Sequence, residues 1–277
     1  MYTEGLARSL VGNGHQVSVF LPAAAGECTE PHSIADGVLI WRAPASPASQ
    51  STNPVRQFRG TFRDRAIEAD FVEFLQATRP EIIHFQHVQG VSAKLLELAG
   101  DLPKVVTLHD YWYFCANSQL IRPDRQPCAG PSAGCRNCVD CATSRADLGW
   151  LRAVRPLVAL PLAYRNRYLR DRMAAVDRFI APSEFLRRQY IGQGFPAERI
   201  VMLENGIETS RLARHSTARL AEPPARPHFG FLGSLAWQKG VHILIDAFNS
   251  LPDQAALTIY GSESAFPDYV SELKAQA

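Results

Sequence analysis

Short apolar, β-branched runs alternate along the chain with segments whose apolar residues recur at helical spacing. Residues 17–21 form the first run, between the turn signal Asn13-Gly14 and Pro22. Residues 38–41, 82–85, 105–108, 178–181 and 200–203 repeat the strand pattern. Between them, Ile67, Phe71, Phe74 and Leu75 share one side of a helix predicted over 64–77, ending ahead of Arg79-Pro80. Further helices are predicted over 1–11, 92–99 and 184–191, the last opening on Pro182-Ser183-Glu184.

Such alternation predicts an α/β fold, a parallel sheet with helices on both faces. Residues 209–226 interrupt it with a polar stretch containing Pro223-Pro224, a linker. The pattern restarts with a strand at 229–232, a helix at 238–248, a strand at 256–260 and a helix at 267–275. Two Rossmann-like, doubly wound domains are therefore expected, 1–208 and 227–277, joined by the linker 209–226. The chain opens on a helix where such a domain begins with a strand, and the second domain holds only two strand–helix repeats. Both ends read as cuts, with the first strand missing and the second domain truncated.

Composition narrows the class. At 46% hydrophobic and 20% charged, the chain is neither disordered, collagenous nor coiled-coil. No run approaches the roughly 18 apolar residues that span a bilayer, since 157–163 is short and broken by Pro161. No signal-peptide pattern opens the chain, so a cytoplasmic location is expected. A net charge of +2 gives no ground for nucleic-acid binding. Among 29 basic residues only Lys94, Lys104, Lys239 and Lys274 are lysines. Arginines gather at 56–65 and again at Arg152, Arg155, Arg165, Arg167, Arg170 and Arg172, among Trp150, Leu157, Leu160 and Tyr164. That second cluster reads either as an amphipathic segment for anionic lipid or as a helix with a solvated basic face.

Ligands of parallel sheets bind beyond the carboxyl ends of the strands, so the residues there carry the candidate chemistry. His109-Asp110 follows the strand at 105–108. The imidazole can give or take a proton, and Asp110 can orient it or accept from a sugar hydroxyl. A turn cap with a satisfied histidine is the alternative. His87, in Gln86-His87-Val88-Gln89-Gly90, stands at the parallel position after the preceding strand. Gly233 and Ser234 follow the strand at 229–232, and Lys239 precedes the next helix. Bare N–H groups, a helix N-terminus and one lysine make a phosphate site; the alternative is a turn with a solvated lysine. The segment is neither a Walker loop nor Gly-x-Gly-x-x-Gly. Gly261 would bring a second glycine turn beside the first.

Cysteine use is uneven. Besides Cys28, five cysteines crowd into 27 residues (Cys115, Cys128, Cys135, Cys138 and Cys141) within an insertion at 111–147. Structural zinc, a reduced cysteine-rich loop and disulfides are the readings; an iron–sulfur cluster lacks a recognised run.

Together these segments resemble a family-4 type retaining glycosyltransferase of the two-lobed GT-B fold. Residues 4–8 (Glu-Gly-Leu-Ala-Arg) and 14–19 (Gly-His-Gln-Val-Ser-Val) resemble the first helix and second strand of its acceptor lobe. Residues 80–87 and 106–110 resemble two further strands of that lobe, and 181–185 its last helix. Residues 204–208 (Glu-Asn-Gly-Ile-Glu) resemble the hinge, and 231–234 with Lys239-Gly240 the start of the donor lobe. The resemblance covers nearly the whole chain.

It implies transfer of a sugar, with retention, from a nucleotide-sugar donor to a glycan or lipid-linked acceptor, as in bacterial polysaccharide or glycolipid synthesis. No cofactor is required for catalysis, and any zinc would be structural. His109 and Asp110 become the catalytic residues, Gly233, Ser234, Lys239 and Gly261 the donor-binding ones, and His87 and Asn205 acceptor-side. A lipid-linked acceptor would suit peripheral contact with the inner face of the membrane. Three departures stand out. Gly233-Ser234 replaces the family's Gly-Arg, the glycine-rich loop after the first strand is absent, and so is the donor lobe's Glu-x7-Glu. The chain as it stands is therefore expected to be inactive alone. The competing readings are a cysteine-rich metal module that binds nucleic acid and a non-catalytic glycosyltransferase relative.

Overall fold

The computed structural model describes residues 2–23, 32–45, 51, 53–207, 209, 226–251 and 255–277. Cys28 and nearly all of the 209–226 stretch lie outside them. The chain divides into two compact units, Met1–Ile207 and Glu208–Ala277.

The first unit begins with α1 (Tyr2–Gly12), β1 (Val17–Pro22), β2 (His32–Ala35) and β3 (Val38–Ala43). β1 and β3 pair in parallel, and β2 adds antiparallel to the other edge of β3. β2 departs from the purely parallel sheet that the alternation predicts. Its cause is local: Asp36 (φ 51°) and Gly37 (φ 76°) form a two-residue turn with both residues left-handed. That geometry matches the twist of a hairpin, and Asp-Gly is among the pairs that adopt it most readily.

After α2 (Pro54–Gly60) and α3 (Arg65–Thr78), four strands form a second sheet. They are β4 (Ile83–Phe85), β5 (Lys104–Thr107), β6 (Arg178–Ala181) and β7 (Ile200–Met202), parallel and in sequential order. α3 starts at Asp64, whose carboxylate accepts from the Ile67 N–H, and stops at the left-handed Arg79 before Pro80. Its buried stripe, Ile67, Phe71 and Phe74, joins Val106, Leu108 and Phe179 in the main core. Each such side chain contributes about 1.5–3 kcal/mol through burial.

The helix predicted over 92–99 shrinks to the single turn α4 (Leu95–Leu98). Ser92 is held elsewhere: its hydroxyl donates to Glu68 Oε1 (2.8 Å), which also accepts from the Asp64 N–H (2.8 Å). At φ 149° it cannot join a helix. The 111–147 insertion holds one 3-10 segment, Ala133–Cys138, and α5 (Val139–Arg145). Next comes the long α6 (Arg155–Met173), with Pro161 inside it, and after β6 follows α7 (Glu184–Gly192). The Ser183 hydroxyl caps α7 by accepting from the Leu186 N–H (3.2 Å).

The second unit is a parallel pair, β8 (His228–Leu232) and β9 (Ala256–Tyr260), with α8 (Val241–Asn249) and α9 (Pro267–Gln276). Leu235, Val241, Ile245, Tyr269, Val270 and Leu273 form its core. The turns after its two strands touch. A Cβ on Gly261 would lie 2.4 Å from the Gly233 carbonyl oxygen and 2.7 Å from Leu235 Cγ. Only glycine allows this approach.

Gly261→Ala is therefore expected to destabilise the second unit by about 1–3 kcal/mol. Gly230→Ala, whose Cβ would meet nothing within 4 Å, is the comparison. Urea denaturation of both variants measures the difference; equal stabilities would show that the turns separate freely.

Candidate active site

β4 and β5 are adjacent and parallel, so the residues that follow them emerge side by side at the same sheet edge. Gln86 and His87 leave β4; His109 and Asp110 leave β5 one residue after the buried Leu108. The four polar side chains meet in pairs. His109 Nε2 stands 3.0 Å from Gln86 Oε1, an oxygen that only accepts, so Nε2–H donates and Nδ1 remains the basic nitrogen. His87 Nδ1 accepts from the Gln89 N–H (2.9 Å), so its proton sits on Nε2, 3.3 Å from Asp110 Oδ2. Asp110 Oδ1 also accepts from the Trp112 N–H (2.7 Å), which fixes the carboxylate over the turn. Behind them His84 Nε2 lies 2.7 Å from Thr107 Oγ1.

His109 sits at the surface with the Tyr2 ring edge-on at 5.3 Å. Partial enclosure pulls its pKa below the ordinary 6.5; repulsion from His87 adds to this, and Asp110 opposes it. Burial, then His109, lowers His84 in the same sense. Near neutral pH His109 is thus a neutral imidazole with a donor and an acceptor.

The backbone beneath this cluster is held by three side chains, of which the sequence reading named only Arg165, as one of a basic cluster. Tyr190 O–H donates to the Asp110 carbonyl (2.7 Å). An Arg165 N–H donates to the Trp112 carbonyl (2.6 Å), with the guanidinium 4.7 Å from the Trp112 ring centre. The Asn166 amide donates to the Phe114 carbonyl (2.9 Å). Arg165 corrects the expectation that the 152–172 arginines share one role. It is 1% exposed, whereas Arg167 is open to solvent. The signal was in the spacing: Leu162, Arg165, Leu169 and Met173 form one buried helical stripe.

A cavity of about 220 Å³ adjoins the cluster, mostly apolar, walled by α2, the 112–146 segment and α6. Phe58, Trp112, Leu120 and Leu162 line it, together with Arg165 and Cys138. Four of the five clustered cysteines reach its wall, and Cys135 is buried behind it. All five are free thiols. Among the described residues no group of three or more His, Cys, Asp or Glu side chains is arranged to hold a metal ion. The zinc reading of Cys115, Cys128, Cys135, Cys138 and Cys141 thus finds no ligand set there.

Of the remaining candidates, one belongs to the first unit and four to the second. Asn205 is exposed beyond β7, two strands and so about 10 Å from the row of β5. In the second unit, Gly233 and Gly261 are in contact, and Ser234 turns its carbonyl to the Ala236 N–H (2.9 Å). Lys239 closes the short segment Trp237–Lys239, and left-handed Gly240 (φ 68°) leads into α8.

The model of Glycosyltransferase Family 4 matches residues 1–211, and the chain belongs to that family. No curated protein matches it. An α,α-trehalose-phosphate synthase (UDP-forming) from Burkholderia vietnamiensis is similar in structure over 98% of this chain, with 11% identity and a TM-score of 0.54. The Anabaena protein Alr3699/HepE, solved in complex with UDP, is similar over 86% of this chain, with 19% identity and a TM-score of 0.41. The chain spans 63% and 51% of those two structures. The fold is α/β, Rossmann-like and of the GT-B type.

The histidine shifts fix a pH dependence. A base whose folded pKa lies below its unfolded value stays neutral in the fold, while the unfolded chain takes up the proton first. Its stabilisation is complete above about 6.5 and is lost as pH falls through the folded pKa. Unfolding free energy from urea titrations should therefore decline below pH ~6.5, and a His84→Gln/His109→Gln double variant should flatten that decline. An unchanged slope would place the acid sensitivity on other groups.

Proposed function

We propose that this chain is the acceptor lobe, with the beginning of the donor lobe, of an enzyme that transfers a hexosyl group from a nucleotide sugar with retention. The observation that carries this reading is the Gln86, His87, His109 and Asp110 grouping at the carboxyl ends of adjoining parallel strands. Family membership supports glycosyl transfer. In this reading His109 and Asp110 face the transferred sugar as catalytic residues. His109 offers its basic nitrogen and Asp110 its ordered carboxylate, while His87 and Asn205 serve the acceptor side.

As the sugar leaves, negative charge grows on the nucleoside diphosphate. Lys239 and the N-terminus of α8, beside the glycine turns at Gly233-Ser234 and Gly261, would stabilise that charge. The step needs no metal in this scheme.

The acceptor is a lipid-linked or glycan chain, as in bacterial polysaccharide or glycolipid synthesis. The apolar cavity beside Trp112 favours the lipid-linked form, since it offers room for an apolar segment next to the polar cluster. The outer face of α6 agrees with this. Leu157, Leu160 and Tyr164 are each more than 60% exposed on one helical stripe, with Trp150 nearby in sequence and Arg167 and Arg155 among them. Among the described residues no helix is long and apolar enough to cross a membrane. Such a face suits peripheral contact with the inner leaflet from a cytoplasmic enzyme.

Full-length protein should release nucleoside diphosphate from one class of UDP-, GDP- or ADP-sugar. His109→Ala should lower kcat by about 10²–10⁴-fold, with a much smaller change in donor KM. No turnover across the panel would overturn the reading. For membrane contact, co-sedimentation with anionic vesicles at low salt should fall at least several-fold in a Leu157→Ser/Leu160→Ser variant. Equal binding by variant and parent would remove α6 from that role.

A further inference from the structure

The cysteine segment holds a pair that the glycosyl-transfer scheme does not use. Cys135 and Cys138 end the segment Ala133–Cys138, where Gly134 (φ 70°) and Cys135 (φ 56°) are both left-handed. Left-handed backbone is uncommon for a residue with a side chain, and here it accompanies an inward cysteine that is 4% exposed. The Cys135 sulfur hydrogen-bonds with the Cys138 thiol and accepts from Asn166 Nδ2 at 3.4 Å. Cys138 is half-buried and reaches the cavity wall.

The guanidinium of Arg165 acts on the same sulfur. Its hydrogen bonds go to neutral acceptors, the Trp112 carbonyl and Asn166 Oδ1. A buried cation without a close carboxylate is costly unless other groups compensate it. The groups that favour its charge are the Cys115 and Cys135 sulfurs, the Tyr190 phenol and Asp110.

We propose that Cys135 and Cys138 form a thiol–disulfide exchange site whose ligand class is a small-molecule disulfide reaching Cys138 through the cavity. The Cys138 thiol, the Asn166 amide and the Arg165 cation pull the Cys135 thiol below its usual range against the effect of burial, and Cys138 moves upward.

The exchange runs in two displacements. The Cys135 thiolate takes the Cys138 proton as the Cys138 sulfur attacks a disulfide RSSR. One RS⁻ leaves and a Cys138–S–SR bond forms. That RS⁻ takes the proton from Cys135, whose thiolate then attacks the Cys138 sulfur and expels the second RS⁻. The pair loses two electrons, and RSSR gains them as one thiol and one thiolate. Closing the bond removes the anionic sulfur beside Arg165 and alters the acceptor of Asn166. Both residues hold the backbone just past Asp110, so the oxidation state reaches the polar cluster through two hydrogen bonds.

The test uses full-length protein equilibrated with reduced and oxidised glutathione, acid-quenched, alkylated and peptide-mapped. The Cys135–Cys138 bond should exceed glutathione adducts at Cys138 by about tenfold or more, as expected for a neighbouring thiol of high effective concentration. Dithiothreitol should reverse it. Cys135→Ser should trap glutathione on Cys138, while Cys141→Ser should leave the bond unchanged. Pairing of Cys138 with Cys141 or Cys115, or adducts without closure, would overturn the proposal. So would a metal ion found by elemental analysis whose removal is needed before the thiols react. Mapping of the parent protein decides the matter even if a variant fails to fold.

Discussion

Between Asp110 and Phe114 the backbone leaves the sheet, and its carbonyls lose the ladder partners that β5 enjoys. A buried carbonyl without a donor costs as much as a lost hydrogen bond, and three within five residues would make this turn unstable. Tyr190 from α7 and Arg165 and Asn166 from α6 supply the donors at alternate residues, to Asp110, Trp112 and Phe114. The position of His109 and Asp110 relative to β4 depends on that arrangement. So does the cavity, since Trp112 and Arg165 form part of its wall. Polar site and apolar pocket therefore share one set of hydrogen bonds.

Much of the scaffold was legible because it follows from period and punctuation. Residues 178–181 and 256–260 are strands at the expected bounds, and α3 and α7 begin at the Asp64 and Ser183 caps. The proximity of His87 to Asp110 follows from adjacency of parallel strands, which the alternation implies. What escaped was set by tertiary contacts or by turn chemistry. β2 hangs on the Asp36-Gly37 turn, a signal present in the sequence but lost among longer patterns. The 92–99 helix looks regular by composition, yet the buried Glu68 captures Ser92 and shortens it. Arg165 carries the least typical behaviour of its residue type: by composition it belongs with solvated arginines, by spacing with the core.

The two units are bound to different chemistry by different means. In the first, polar side chains gather at strand ends, and crowding with repulsion between histidines lowers the pKa values of His84 and His109. In the second, the relevant feature is a lack of side chains, two glycine turns pressed together ahead of a helix. In the proposed scheme Ser234 stands where the resembling family has an arginine, and Lys239 would supply the cation at that turn.

Pro161 sits within α6, where it lacks an N–H for the carbonyl four residues earlier. The helix is thereby two mechanical pieces. Up to residue 161 it carries Leu157 and Leu160 outward to solvent; beyond it, Leu162, Arg165, Leu169 and Met173 are buried in the first unit. The missing hydrogen bond makes the junction a natural limit to fraying.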